Sequence, residues 1–324
     1  MKTIAVIGAG QLGSRHLQSL SKLNIETQIE VVDTFGTSLE TAKIRFEEMP
    51  ANANIQGIRY LSSIKELSRY IDFVVVATNA DVRASVLREL LATCDVKNIL
   101  LEKVLFQKAE DYAEFLEVFA SKGIQVWVNH PRRQFPYYHE LKQDLAGSTQ
   151  ISYHVQGGAW GLACNSLHFI DHLAFLTGED SLQLSGQGLN PSVIQSKRKG
   201  FVELSGTLSG RVGQHPFTLF CHDASSPVSI TICSDNLNAI IDEGSGLVRL
   251  VTKEGGWKWE EKKVRIIRFQ SELTSSVVEQ VITTGICDLP TYAEAVKLHL
   301  PFIDCLKDFL EKVENIKYDH CPIT

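Results

Sequence analysis

The chain has 324 residues, 44% hydrophobic and 22% charged, with a net charge of −6 and a pI near 5.9. That length accommodates two domains, each with its own core, and the acidic balance excludes the basic patch or stripe that a nucleic-acid or membrane surface needs. No apolar run approaches the roughly 18 residues of a membrane span, and the N-terminus reads as a strand rather than a signal peptide, so a cytoplasmic location is expected.

Ile4 to Ile7 is a short β-branched apolar run, as in a buried parallel strand. Gly8, Gly10 and Gly13 follow at once in the spacing G-x-G-x-x-G, and a helix pattern runs from Gln11 to Leu23. Ile29 to Val32 is a second apolar strand, ended by Asp33, 20 residues after Gly13. Each part has a physical role in holding a dinucleotide. Gly8 allows the tight turn, Gly10 removes a side chain where backbone approaches a pyrophosphate, and Gly13 lets helix and strand pack closely. The pyrophosphate meets free N–H groups at the helix start, around Gln11 and Leu12. Asp33 can accept hydrogen bonds from the adenine ribose hydroxyls and would repel a 2′-phosphate, which favours NAD over NADP.

Strands and helices then alternate to Val128, the signature of a parallel sheet with crossover helices. Thr37 or Ser38 is expected to cap a helix reaching Glu48, and Ser62 or Ser63 one reaching Tyr70. Gly57–Tyr60, Phe73–Ala77, Asn98–Leu101 and Ile124–Val128 read as strands three to six. Asn79 or Asp81 caps a helix to about Ala92, and Lys108 to Lys122 is helical up to Gly123. Six strands in this order suit a doubly wound Rossmann sheet over residues 1–128. Three segments end strands at its ligand-binding edge: Thr78-Asn79, Glu102-Lys103 and Asn129 to Arg133. Thr78-Asn79 is placed to touch the ribose or nicotinamide, with capping of the next helix as the alternative for Asn79.

From residue 129 to 324 the pattern changes. Gln134–Ala146 and Leu162–Leu176 read as helices on either side of a strand at Thr149–Gly157. Strands then dominate: Phe201–Ser209, Pro216–Cys221, Val228–Cys233, Ala239–Asp242, Leu247–Thr252 and Val264–Phe269. Their short connections imply an antiparallel sheet in an α+β domain. Glu272–Thr284 and Tyr292–Val313 are helical. The seven cysteines are scattered, with no C-x-x-C pair, which argues against a disulfide framework and structural zinc.

Two places carry chemistry. Lys103 stands where a buried strand meets the ligand edge, and a partly desolvated lysine can exchange protons near neutrality; a surface lysine paired with Glu102 is the alternative. On the helix Leu162–Leu176, Asn165, His168 and His172 share a face, with Cys164 and Asp171 beside them. His168 has the chemistry to share proton transfer, and Asp171 to orient a histidine. The spacing matches no standard zinc pattern, so no metal is expected. Arg132 and Arg133 could bind a carboxylate or phosphate, which hints at an acidic or nucleotide-linked sugar; solvated surface charge is the alternative. Trp160, in a glycine-rich bend, could stack on a sugar face or belong to the core.

Over essentially its whole length the chain resembles the glucose-fructose oxidoreductase / inositol dehydrogenase / rhizopine-catabolism (Gfo/Idh/MocA) family. The resemblance rests on G-A-G-Q-L-G-S-R-H at Gly8 to His16, A-T-N at Ala77 to Asn79, and E-K at Glu102-Lys103. H-F-I-D at His168 to Asp171 and D-L-P-T-Y-A-E-A at Asp288 to Ala295 add to it. It implies a Rossmann domain followed by a domain on a large open antiparallel sheet. It also implies an NAD(P)-dependent oxidoreductase of sugars, cyclitols or their derivatives, with Lys103 and His168 as the proton-handling residues. Two positions depart from the pattern: the family's E-K-P is Glu102-Lys103-Val104, and the aspartate often found four residues before the histidine is Cys164. The substrate then differs from the family's common ones, or catalysis leans on Lys103 and His168 alone, or activity is lost. The expected protein is therefore an NAD-dependent dehydrogenase of a small sugar-like substrate, lying between the nicotinamide and the helix Leu162–Leu176. A non-catalytic NAD-binding sensor, or a reductase of an imine or tetrapyrrole, is the alternative. An open sheet face is expected to be covered in a homodimer or homotetramer.

Overall fold

The computed structural model describes residues 1–324. They form two units: Met1–Phe106, Glu110–Pro131 and Arg268–Tyr292 make one, and Gln107–Ala109, Arg132–Ile267 and Ala293–Thr324 the other. No helix is long and apolar enough to cross a membrane.

In the first unit β1 (Lys2–Ile7) pairs in parallel with β2 (Thr27–Val32) on one side. Outside β2 lies β3 (Ile55–Leu61). On the other side of β1 come β4 (Phe73–Val76), β5 (Asn98–Leu101) and β6 (Gln125–Val128). The order is β3-β2-β1-β4-β5-β6, all parallel. Because the strand order reverses between β1 and β4, the crevice beyond their carboxyl ends is the natural ligand position. Phe73 to Val76 are wholly buried, as a strand covered on both faces must be. The crossover helices are α1 (Gln11–Leu20), α2 (Gly36–Glu47), α3 (Ala80–Thr93) and α4 (Ala109–Lys122).

The second unit opens with α5 (Pro136–Asp144), β7 (Ile151–Gly158) and α6 (Leu162–Thr177). The strands β8 (Leu182–Leu189), β9 (Gly206–Val212), β10 (His215–His222), β11 (Ser226–Ser234), β12 (Leu237–Asp242), β13 (Leu247–Thr252) and β14 (Glu260–Lys263) follow. They build one sheet of eight in the order β8-β9-β10-β7-β11-β12-β13-β14, parallel only between β7 and β10. Side chains alternate along these strands: Leu237, Ala239 and Ile241 are buried, while Ile240 between them is 40% exposed. The helix α6 packs on the inner face, against β7, β9 and β10.

The last two helices divide between the units. Helix α7 (Gln270–Thr284) returns to the first, where Val277, Val278 and Val281 join Leu17, Leu20 and Leu23 of the core. Helix α8 (Tyr292–Glu314) belongs to the second. A boundary drawn at 128/129 from sequence therefore leaves out this later segment of the first unit.

Several boundaries differ from the sequence reading. The first helix stops at Leu20, and Ser21 to Leu23 form a turn. Phe35, not Thr37 or Ser38, occupies the N-cap of α2. The helix expected to reach Tyr70 is a single 3-10 turn, Ile64–Glu66, whose first N–H groups include Lys65 N bonded to Ser63 Oγ. The run Phe201–Ser209 breaks at Leu204 and Ser205, just before Gly206, whose φ of +98° a side chain would strain. Val264–Phe269 is irregular; the edge strand is the fully charged Glu260–Lys263, which protects the sheet from pairing with other chains. Strand β8 went unread because its glycines and polar residues hide the alternation.

Leu20→Ala deletes a wholly buried side chain from the core shared by α1 and α7. It is expected to lower unfolding free energy by about 2–5 kcal/mol in denaturant titration.

Candidate cofactor and acid–base site

The turn between β1 and α1 has the geometry that its glycines predict. Gly8 has φ +89°, and a Cβ on Gly13 would lie 1.7 Å from the Gly8 carbonyl oxygen, so the helix crosses the strand at a distance only glycine permits. A Cβ on Gly10 would meet nothing within 4 Å: its side faces open space through which a ligand can reach backbone. No side chain caps the start of α1, which leaves its first N–H groups to an anion. Leu12 lies in that first turn. The Gln11 side chain turns aside to accept from Arg45 Nη2 at 2.7 Å.

Asp33 closes β2 with both carboxylate oxygens held: Oδ2 accepts from Ala9 N at 2.7 Å and Oδ1 from Phe35 N at 2.8 Å. The carboxylate is thereby fixed beside the glycine turn. A cavity of about 570 Å³ lies there, lined by Gly8, Gly10, Asp33, Phe35, Thr78 and Asn79 among others. Thr78 Oγ1 is buried without a hydrogen-bond partner, as a group awaiting a ligand would be. Asn79 sits at the N-cap of α3, yet its side chain makes no capping bond. Glycine turn, fixed acid, orphaned hydroxyl and uncapped helix together fit a dinucleotide.

At the end of β5, Glu102 is 4% exposed and accepts from His16 Nε2 at 2.9 Å and Asn129 Nδ2 at 2.5 Å. The network continues. Asn129 Nδ2 also donates to Gln270 Oε1 at 2.8 Å, Gln270 Nε2 donates to Thr274 Oγ1 at 2.9 Å, and Thr274 Oγ1 lies 2.8 Å from His16 Nδ1. The five side chains close a ring that ties α1, the ends of β5 and β6, and α7. Burial works to raise the Glu102 carboxyl, but hydrogen bonds from His16 and Asn129 and the charge of Lys103 outweigh it and hold it below its ordinary value of 4.5. Lys103 thus follows a buried, ionised carboxylate. Beyond it, the Lys103–Val104 peptide is cis and Val104 is wholly buried. Arg83, 1% exposed on α3, donates Nη1 to the carbonyls of Val104 and Leu105 and Nη2 to that of Thr78. One guanidinium so links the segment after Lys103 to the cavity wall.

In the second unit, α6 presents Cys164, Asn165 and His168 on its less buried side, while Asp171 and His172 are wholly buried. The Cys164 thiol donates to the Thr324 carbonyl at 2.9 Å, and Asn165 Nδ2 to the Trp160 carbonyl at 2.6 Å. Asp171 accepts two bonds from Arg133 Nε and one from Nη2, at 2.8–3.1 Å, so it holds the Arg133 guanidinium. His172 Nδ1 lies 2.9 Å from the Tyr153 hydroxyl, and its ring packs 3.9 Å from that of Tyr138. Burial, with the charges of Arg132 and Arg133, pushes the His172 imidazole well below its ordinary value. His172 is thus a neutral, wholly buried residue. Arg132 is paired in two-pronged fashion with Glu243 at 2.9 and 2.6 Å and stacks over Phe169. With Arg133 matched by the buried Asp171 and Arg132 by the half-buried Glu243, neither brings an uncompensated charge to an anionic ligand. Trp160 donates Nε1 to the Phe220 carbonyl at 3.0 Å and forms a wall of two cavities, of about 350 and 530 Å³. Asn165 lines both as well.

Arg83, Gln270 and Thr274 escaped the sequence reading as functional residues, and Asn129 enters it only as part of the strand-six end. His16 carried the one available signal, a polar residue on the inner face of α1. Removing one partner from a buried charge is expensive, so His16→Ala is expected to cost about 3–5 kcal/mol of stability. Glu102 stabilises the native state above its ordinary value and loses that contribution as pH falls through its depressed native value. In acid titrations of stability, Glu102→Gln should therefore be less stable than wild type at neutral pH and show a flatter decline below about pH 4.5.

Residues 2–130 match the model of the Gfo/Idh/MocA oxidoreductase family, NAD-binding Rossmann fold. No curated protein sequence matches the chain. Among solved structures, it is similar to UDP-N-acetylglucosamine 3-dehydrogenase from Acidithiobacillus ferrooxidans, with 14% identity over 95% of this chain and 99% of that one and a TM-score of 0.67. Biliverdin reductase from Synechocystis, in complex with biliverdin and NADP+, has 13% identity over 94% and 97%, at 0.68. A super-repressor mutant of Gal80p from Saccharomyces cerevisiae has 16% identity over 98% and 99%, at 0.71. At such identities the likeness is one of fold, and a fold shared by two different enzymes and a repressor leaves function to the site. Residues 2–130 are thus similar to the NAD-binding Rossmann fold of the Gfo/Idh/MocA oxidoreductase family.

Proposed function

We propose that this protein is an NAD-dependent oxidoreductase acting on a hydroxyl or keto carbon of a sugar, cyclitol or sugar derivative. The observation that carries the reading is Lys103 at a strand end, directly after a buried ionised carboxylate, in the unit that holds the dinucleotide cavity. Gly8, Gly10, Gly13 and Asp33 bind the cofactor, with Thr78 and Asn79 toward its nicotinamide half. Asp33 and Glu89 are the charged residues lining the cavity, and no Lys or Arg lines it, which favours a ribose 2′-hydroxyl over a 2′-phosphate. A bound nicotinamide supplies the hydride carrier. Lys103 Nζ takes the substrate hydroxyl proton in oxidation and returns it to the carbonyl oxygen in reduction. His168 is the second proton-handling residue by family resemblance. Trp160 and Asn165 are candidates for sugar contact, because both line cavities beside α6. The arginine pairing described above removes the support that Arg132 and Arg133 gave to an acidic substrate. We place the protein in the cytoplasm as a homodimer or homotetramer formed through the open face of the eight-stranded sheet.

A non-catalytic NAD-binding sensor is the second reading. It is favoured by Cys164, whose thiol is spent on a backbone carbonyl at a position where relatives often carry a carboxylate. The two readings separate in an assay of nicotinamide reduction and oxidation against a panel of sugars and cyclitols, with biliverdin included for the tetrapyrrole alternative. In an enzyme, Lys103→Ala should lower turnover about 100-fold or more while NAD affinity is retained. Binding of NAD with no turnover on any of the panel would favour the sensor.

A further inference from the structure

Phe35 is an aromatic ring with no evident place in the core. It is 69% exposed, yet it lines the 570 Å³ cavity, whereas Tyr70, equally exposed in the same unit, does not. Its backbone is firmly mounted. The N–H donates to Asp33 Oδ1 at 2.8 Å, and the carbonyl accepts from Ser38 N at 3.0 Å and Leu39 N at 3.2 Å at the start of α2. The ring thus projects from a rigid N-cap, two residues beyond the carboxylate placed to hold the ribose hydroxyls. In a dinucleotide the adenine hangs directly from that ribose, so an aromatic ring tethered to the ribose-binding group is within reach of the base. Ile64, Val82 and Val86 line the same cavity and offer a base apolar contact.

We propose that Phe35 is the stacking platform for the adenine base and a determinant of dinucleotide affinity; this rests on the reading of the cavity as the NAD site. Stacking uses the π-face, which a phenol shares and an aliphatic chain lacks. Because the side chain is mostly in solvent, its replacement leaves the core intact.

The test is calorimetric titration of the full chain with NAD, AMP and nicotinamide mononucleotide, for wild type, Phe35→Ala, Phe35→Leu and Phe35→Tyr. Phe35→Ala and Phe35→Leu should weaken NAD and AMP about tenfold, Phe35→Tyr should match wild type, and the mononucleotide, which lacks adenine, should be unaffected. NAD binding unchanged in Phe35→Ala, full affinity in Phe35→Leu, or an equal loss for the mononucleotide would overturn the platform alone. Failure of wild type to bind NAD would overturn the cofactor reading and the platform with it.

Discussion

The first unit depends on one backbone approach, that of Gly13 to the Gly8 carbonyl. A single methyl group at Gly13 would sit 1.7 Å from that oxygen, far inside any real contact. Because the two glycines permit the crossing, α1 can start directly at the end of β1 with its N–H groups pointing into the crevice. The Ala9 N–H is then in position to hold Asp33, and the face of α1 away from the cavity is free to pack on α7. Placement of phosphate site, ribose acid and C-terminal returning helix all follows from the same turn.

His16 connects that turn to the acid–base end. It lies on α1, five residues past Gln11 at the uncapped start of the helix, and meets Glu102 from within the core. A buried carboxylate is costly unless its lone pairs are met, and here Oε1 is met by side chains from two separate stretches of chain. The result is a charge fixed by packing rather than by solvent. Arg83 performs a parallel task on the far side of Lys103, satisfying backbone carbonyls that an irregular segment would otherwise leave buried and unbonded. Lys103 is therefore flanked by two buried polar arrangements, one anionic and one cationic, each anchored in α-helix.

Much of this was legible in the sequence, and the reason is locality. Gly8, Gly10, Gly13 and Asp33 act within one β-α-β unit, so their spacing alone specifies their geometry. The apolar runs of β1, β4 and β5 likewise declare themselves central. What stayed hidden was long-range. Nothing near Thr274 or Gln270 shows that α7 packs on α1, more than 250 positions earlier, and a threonine and a glutamine on a helix read as solvated. Asp171 and His172 show the same limit. Polar residues on an apolar helix stand out in the sequence, but their partners Arg133 and Tyr153 come from elsewhere in the same unit and could not be read beside them. The sheet edge failed by composition: four consecutive charges carry no strand signal, although charge is what an exposed edge needs.

The central claim is that the cavity at the carboxyl ends of β1, β2 and β4 binds NAD through Asp33. The most direct measurement is calorimetric titration of the purified protein with NAD and with NADP, repeated on Asp33→Ala. Binding of NAD in preference to NADP, with that preference relaxed in the variant, is the predicted result. Absence of binding by either dinucleotide at millimolar concentration, or a preference for NADP that the substitution leaves untouched, would contradict it.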